Sequence, residues 1–160
     1  MAFGTGTHDT TQLCLRAIGD NYQPGQSVLD VGTGTGILAI AVARLASAPG
    51  ANILACDTDE DSVAIARENA MLNGVGDMIS FFDGSIHDEM PVFDFVIANL
   101  TLDVILPMLK LLIAKAGHTL LLSGILSEQE TEITVALKDA GISNFEVEHS
   151  GEWISVLATI

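Results

Sequence analysis

Val28-Leu29-Asp30-Val31-Gly32-Thr33-Gly34-Thr35-Gly36 decides how the rest of the chain is read. Ser27 to Val31 is a short apolar run of the kind that forms a strand buried on both faces. It ends in three glycines at alternate positions. A plain strand-to-helix turn needs one or two glycines; three point to a loop that a ligand approaches closely. Outward from it, Ile37 to Ala46 reads as an apolar, alanine-rich helix and Asn52 to Cys56 as a second strand. Glu60 to Leu72 is a helix with Val63, Ala66 and Ala70 on one face and Asn73-Gly74 as its stop. Met78 to Phe82 and Phe93 to Ala98 are further strands, the latter apolar on both faces except Asp94. Leu102, Ile105, Leu106, Leu109, Leu112 and Ile113 form a helical stripe, which Pro107 should kink or restart and Gly117 should close. His118 to Leu122 is a fifth strand. Ser127 with Glu130 fits a capping box for a helix ending near Gly141. Asn144 to His149 and Trp153 to Thr159 close the chain as a hairpin about Ser150-Gly151. Strand and helix in alternation predict an α/β fold, a parallel sheet with helices on both faces, to which the hairpin adds one antiparallel strand. In such a sheet, ligands sit outside the carboxyl ends of the strands, at the point where strand order reverses.

The 160 residues are expected to fold as a single domain over 1–160, burying roughly 70% of the unfolded surface. With 21 acidic and 6 basic residues the net charge is −15. That charge repels a nucleic-acid phosphate backbone and an anionic membrane surface. It favours a basic protein, a basic peptide or a cationic small molecule, or else serves solubility alone. Cys14 and Cys56 make no disulfide framework, and Cys56, within Ile53-Leu54-Ala55-Cys56, reads as a small buried hydrophobe. His8, His87, His118 and His149 have no paired-ligand spacing, so no metal site is expected. No apolar run reaches the length of about 18 residues that a membrane span needs, and the start has neither basic residues nor a hydrophobic stretch. The setting expected is cytoplasmic.

The strand ends carry the chemistry. The dinucleotide fingerprint G-x-G-x-x-G has its third glycine where this chain has Ile37, and no G-K-[ST] follows. Asp30, two residues before Gly32, would repel a pyrophosphate and attract an ammonium or sulfonium. The loop of Gly32 and Gly34 therefore suits a cation better than a phosphate. Asp57, closing the second strand, is placed to accept hydrogen bonds from ribose hydroxyls; its other reading is a helix cap, a job Thr58 or Asp59 can take. Asp83, before Gly84, stands where an adenine amino group could be met, or in an ordinary Asp-Gly turn. Asn99 can both donate and accept, as a ligand group or as a helix cap.

Together these pieces resemble a class I S-adenosylmethionine-dependent methyltransferase. Ala2-Phe3-Gly4-Thr5-Gly6-Thr7-His8, then Thr10-Thr11 and Leu13-Cys14-Leu15, are similar to the opening of the catalytic domain in the family that methylates large-subunit ribosomal protein eleven on lysine and amino-terminal nitrogens. Gly36-Ile37-Leu38-Ala39-Ile40-Ala41, Ser123-Gly124-Ile125-Leu126 and Glu152-Trp153 look like it too, so the resemblance covers essentially the whole chain. It implies a Rossmann-like, mostly parallel seven-stranded sheet with one antiparallel strand, and S-adenosylmethionine as cofactor. It implies a ribosomal protein as substrate, another protein or a small molecule being the alternative acceptor. By the same resemblance Thr11 meets the cofactor's amino-acid end, Gly32 gives the close backbone approach, Asp57 holds the ribose, Asn99 lies at the methyl-transfer end, and Phe3 covers the sulfonium with an aromatic face. No catalytic base is assigned; His8 is the one candidate. The chain departs from the family at Asp9, where proline is usual, and at Asn99-Leu100-Thr101-Leu102, where Asn-Ile-Leu-Ala is usual. The family's separate N-terminal recognition domain is not expected within these residues, which allows a further reading, a cofactor-binding module inactive without that domain.

Overall fold

The computed structural model describes residues 6–46 and 50–160. The elements in chain order are α1 (Asp9–Asn21), β1 (Val28–Val31), α2 (Ile37–Ala46), β2 (Ile53–Asp57), α3 (Glu60–Leu72), β3 (Ile79–Asp83), β4 (Phe93–Asn99), α4 (Leu102–Lys115), β5 (Ala116–Leu126), α5 (Glu130–Asp139), β6 (Phe145–Ser150) and β7 (Trp153–Thr159). The seven strands form one sheet in the order β3-β2-β1-β4-β5-β7-β6. β7 alone runs antiparallel to its neighbours β5 and β6. The expected architecture is the one observed.

The pleat sorts the core into two layers. Val28, Ile53, Phe95, Ile97 and Leu121 face α1, α2 and α3. Leu29, Val31, Val96, Leu120 and Leu122 face α4 and α5. Every residue of β1 is buried, which is why its sequence reads as an unbroken apolar run. Asp94, the polar exception in β4, is structural. Its Oδ2 accepts from the Ser27 amide at 2.8 Å and the Ser27 hydroxyl at 2.9 Å. These bonds hold its carboxyl below the usual range and tie the start of β1 to β4. The connection from β3 to β4 has no helix. Lys115, buried at the end of α4, donates to the Asp88 carbonyl at 2.6 Å and the Met90 carbonyl at 2.7 Å and so pins that connection.

One helix is added and three local expectations are corrected. α1 is a helix that the motif reading of the opening passes over. α4 does not restart at Pro107; the ring lies on the exposed side, and the Asp103 carbonyl it leaves without an amide is at an exposed residue open to water. Gly117 does not close α4, because the chain turns directly from Lys115 into β5 at Ala116. Ser127 does not cap α5: its hydroxyl is buried without a partner, and the Gln129 side chain accepts from the Leu126 amide at 3.0 Å in its place.

Candidate functional site

β1 and β4 lie side by side, and strand order reverses between them: β2 and β3 follow on one side, β5, β7 and β6 on the other. Above their carboxyl ends opens a cavity of about 320 Å³, within the size range of small-molecule sites. Thr11, Gly32, Gly34, Asp57 and Asn99 all line it. Five of the eight residues singled out from the sequence thus meet on one wall.

The glycine loop is held in shape by its own amides. Gly32 and Thr33 both donate to the Cys56 carbonyl, at 2.8 and 2.9 Å, and Gly36 donates to the Thr33 carbonyl at 2.9 Å. The Gly34 amide donates to Asp57 Oδ2 at 2.9 Å, and Asn69 Nδ2 on α3 donates to the Thr35 carbonyl at 2.9 Å. Gly36 lets α3 come close: a Cβ there would stand 3.0 Å from Ala66 Cβ. These amides are already paired, and no Lys or Arg is among the described residues that line the cavity. A pyrophosphate would find there no cationic side chain, and the Asp57 carboxylate beside the loop would repel it.

Asp57 ends β2 half-buried. One carboxylate oxygen accepts from Gly34, the other from the Asp59 amide at 3.0 Å. A carboxylate has about four acceptor sites, so two remain for a ligand's hydroxyls. The cap of α3 is Asp59, whose Oδ1 accepts from Asp61 and whose Oδ2 accepts from the Ser62 hydroxyl. Asn99 ends β4 and is not a cap either, since Thr101 holds that position on α4.

Asp30 and Asp83 do not reach the cavity wall. Asp30 is buried under the loop, where its Oδ2 accepts from the Thr33 hydroxyl at 2.7 Å. Burial pushes its carboxyl up to about 6, against hydrogen bonds from Thr33 and the Ala39 amide that lower it. Asp83 is exposed beside Asp57 at the end of β3. Phe3, with Ala2, Gly4 and Thr5 of the opening, lies outside the described residues.

Leu100, within the run where the chain departs from the family, lines the cavity as well, and so does Trp153, to which sequence reasoning gave no role. Trp153 was findable: an antiparallel last strand begins at the edge where parallel strands end, so its first residue borders their carboxyl ends. Its ring meets that of His8 edge-on, centroids 5.2 Å apart. His8 itself caps α1, its Nδ1 accepting from the Thr10 amide at 3.3 Å and lying 2.8 Å from the Thr10 hydroxyl. The two cysteines are buried free thiols, each pushed up to about 12 by burial. Among the described residues there is no group of three side chains able to hold a metal, and no helix long and apolar enough to cross a membrane.

The family model of ribosomal protein L11 methyltransferase (PrmA) matches residues 1–159. The ribosomal protein L11 methyltransferase of Listeria monocytogenes serotype 4a is 40% identical over 162 residues, covering 99% of this chain and 51% of its own length. The crystal structure of ribosomal protein L11 methylase from Lactobacillus delbrueckii subsp. bulgaricus superimposes with a TM-score of 0.88 at 34% identity, over 99% of this chain and 80% of that one. An RNA methyltransferase from Salinibacter ruber, solved in complex with S-adenosyl-L-homocysteine, shares the fold with a TM-score of 0.73 at 18% identity, over 96% of this chain and 94% of that one. The chain spans about half the length of the curated relatives it matches. On a match that runs almost from end to end, this chain belongs to the ribosomal protein L11 methyltransferase family.

Proposed function

We propose that the chain binds S-adenosylmethionine in the cavity at the β1–β4 switch point and carries out methyl transfer to an amine nitrogen of a basic protein, ribosomal protein L11 foremost. The observation that carries this reading is a glycine loop with the amides of Gly32, Thr33, Gly34 and Gly36 already paired, set beside a carboxylate with two acceptor sites to spare, in a cavity whose described lining holds no Lys or Arg. That lining suits a sulfonium and ribose hydroxyls and opposes a phosphate. When bound, the cofactor supplies a methyl group already activated on sulfur.

The chain's own residues then position and exclude. Asp57 accepts from the ribose. Thr11 meets the amino-acid end, with Gly32 giving the close backbone approach. Asn99 orients the acceptor amine at the reacting end, Phe3 belongs over the sulfonium, and Trp153 and His8 screen the site from water. Asp30 acts from behind the wall, shaping the loop, and Gly34, on the wall, holds Asp57 in place through its amide. Asp83 takes part only if the adenine reaches past Asp57. A lysine acceptor must lose its proton before it attacks. Its free pKa is about 10.4 and desolvation lowers it, so no base is assigned, His8 Nδ1 being engaged by Thr10.

The net charge of −15 supports a basic acceptor and disfavours unaided binding to nucleic acid or an anionic membrane. A cytoplasmic setting agrees with a ribosomal-protein acceptor and two free thiols. One observation favours a second reading: with relatives about twice as long, the chain could bind cofactor yet need a further part to act.

Thermal unfolding with S-adenosylmethionine tests this, with NAD as control. Ligand at 100 times its dissociation constant adds about 2.7 kcal/mol, a rise of roughly 5–10 °C for a domain of this size. The rise should be absent with NAD and lost in Asp57→Ala. Labelled methyl should then pass to purified ribosomal protein L11. A thermal shift without transfer selects the binding-module reading; no shift overturns both.

A further inference from the structure

Residue 100 is clamped from two sides by glycines. A Cβ added at Gly32, whose φ is +71°, would stand 2.4 Å from Leu100 Cδ2 and 3.1 Å from Leu100 Cγ. A Cβ at Gly124, whose φ is +81°, would stand 2.5 Å from the Leu100 carbonyl oxygen and 2.8 Å from its carbonyl carbon. The Leu100 amide donates to the Ser123 carbonyl at 3.0 Å, and the Ser123 hydroxyl donates to the Ile154 carbonyl at 3.0 Å. The backbone of Leu100 thus rests on β5, itself tied to β7, while its side chain rests on the first glycine after β1. The next residue, Thr101, caps α4 through its backbone, its carbonyl accepting from the Val104 and Ile105 amides at 3.0 Å each.

We infer that Leu100 is a positioning residue for methyl transfer. Its isobutyl group is the stop that fixes Asn99, the last residue of β4, against the glycine loop. This inference rests on the methyltransferase reading above. It also gives Gly32 a second reason to be glycine: the leucine needs that space in addition to any ligand. Truncating Leu100 removes the stop while leaving the Ser123 bond in place, so the segment gains room to move relative to β1. A misplacement of about 1 Å at a reacting group reduces the rate about a hundredfold.

The test is a double-mutant cycle read on turnover, with cofactor binding and thermal unfolding alongside. Leu100→Ala should lower kcat by about 10- to 100-fold, with the dissociation constant for S-adenosylmethionine and the KM for the acceptor within about threefold of wild type. Leu100→Met, which restores the bulk, should recover most of kcat. In an Asn99→Ala background Leu100→Ala should add nothing, because it acts through Asn99. The loss of thermal stability caused by Gly32→Ala should also shrink when Leu100 is alanine. Effects of Leu100→Ala and Asn99→Ala that multiply, or a Leu100→Ala enzyme that is less stable yet turns over normally per folded molecule, overturn the inference and leave the methyltransferase reading standing. A wild-type chain that transfers no methyl group overturns that reading and this inference with it.

Discussion

Asp30 and Asp57 are carboxylates on neighbouring strands with opposite surroundings. Asp57 stands half-buried at a strand end with acceptor sites to spare, while Asp30 is sealed beneath the loop. Burial pushes Asp30 up to about 6, Asp57 adding a smaller repulsion and the Thr33 hydroxyl and Ala39 amide pulling it back. An unfolded aspartate titrates near 3.9. Between about pH 4 and about pH 6 the unfolded chain has therefore released a proton that the folded chain still holds, and stability falls as pH rises. The contribution is full below the unfolded value and gone above the folded one. Urea unfolding of wild type and Asp30→Asn across this interval should show the difference widening in favour of wild type on acidification. A constant difference would mean that Asp30 titrates as an exposed carboxyl does. The sequence put this charge beside a ligand because it counted positions along the strand and ignored the pleat. Side chains two apart share a face; Val28 packs against the α1 to α3 layer, so Asp30 points under that layer, where Ala39 of α2 meets it. Asp57, Gly32 and Asn99 were legible because each closes a strand or follows one directly, where the direction of a side chain matters less than the place.

Elements were legible where a strong period ends in a turn signal. α2 and α3 fall on the residues that the pattern predicts, and the strands lie within one residue of their predicted runs except β5, which extends over Ala116–Leu126 beyond the predicted His118 to Leu122 because its far end pairs with β7. Two features escaped because they are tertiary. One is α1, whose apolar positions Leu13, Cys14, Ala17 and Ile18 do recur at helical spacing amid polar residues; it is stable because it packs on α2 and the β5–β7 side of the sheet. The other is the direct passage from α4 into β5. With Lys115 as the last helical residue, its ammonium reaches the carbonyls of Asp88 and Met90 and replaces the helix that the β3–β4 connection lacks. Lys115→Met would keep the bulk and strip both carbonyls of their donor. We expect a loss of about 2–3 kcal/mol in unfolding free energy, the range for hydrogen bonds to a charged group. Amide exchange should quicken across residues 84–92 while β1 and β4 keep their protection. Unchanged exchange in that connection would mean that its packing through Ile86 and Met90 holds it without the lysine.

Part of the charge follows the direction of the helices. Glu60 and Asp61, Asp103, and Glu130 and Glu132 occupy the first turns of α3, α4 and α5, whereas Arg44, Lys115 and Lys138 occupy the last turns of α2, α4 and α5. Each placement suits its own helix dipole. Because every helix that leaves a parallel strand starts at that strand's carboxyl end, these five carboxylates stand on the side of the sheet where the cavity opens, while Asp20 and Asp139 occupy helix last turns at the other end. A chain of net charge −15 thus repels itself as a whole and carries five of its carboxylates on the side where the proposed acceptor must arrive. These two consequences respond oppositely to salt, whose screening length shrinks from about 10 Å at 0.1 M to about 3 Å at 1 M. Raising salt across that range should raise the unfolding temperature by relieving self-repulsion. It should also slow association with a basic acceptor protein about tenfold or more, the size of electrostatic steering, and leave association with an uncharged acceptor peptide nearly unchanged. Stopped-flow association rates for the two acceptors, set beside melting curves at the same salt concentrations, separate the effects. An equal slowing of both acceptors would mean that these first-turn carboxylates serve their helices alone and steer nothing.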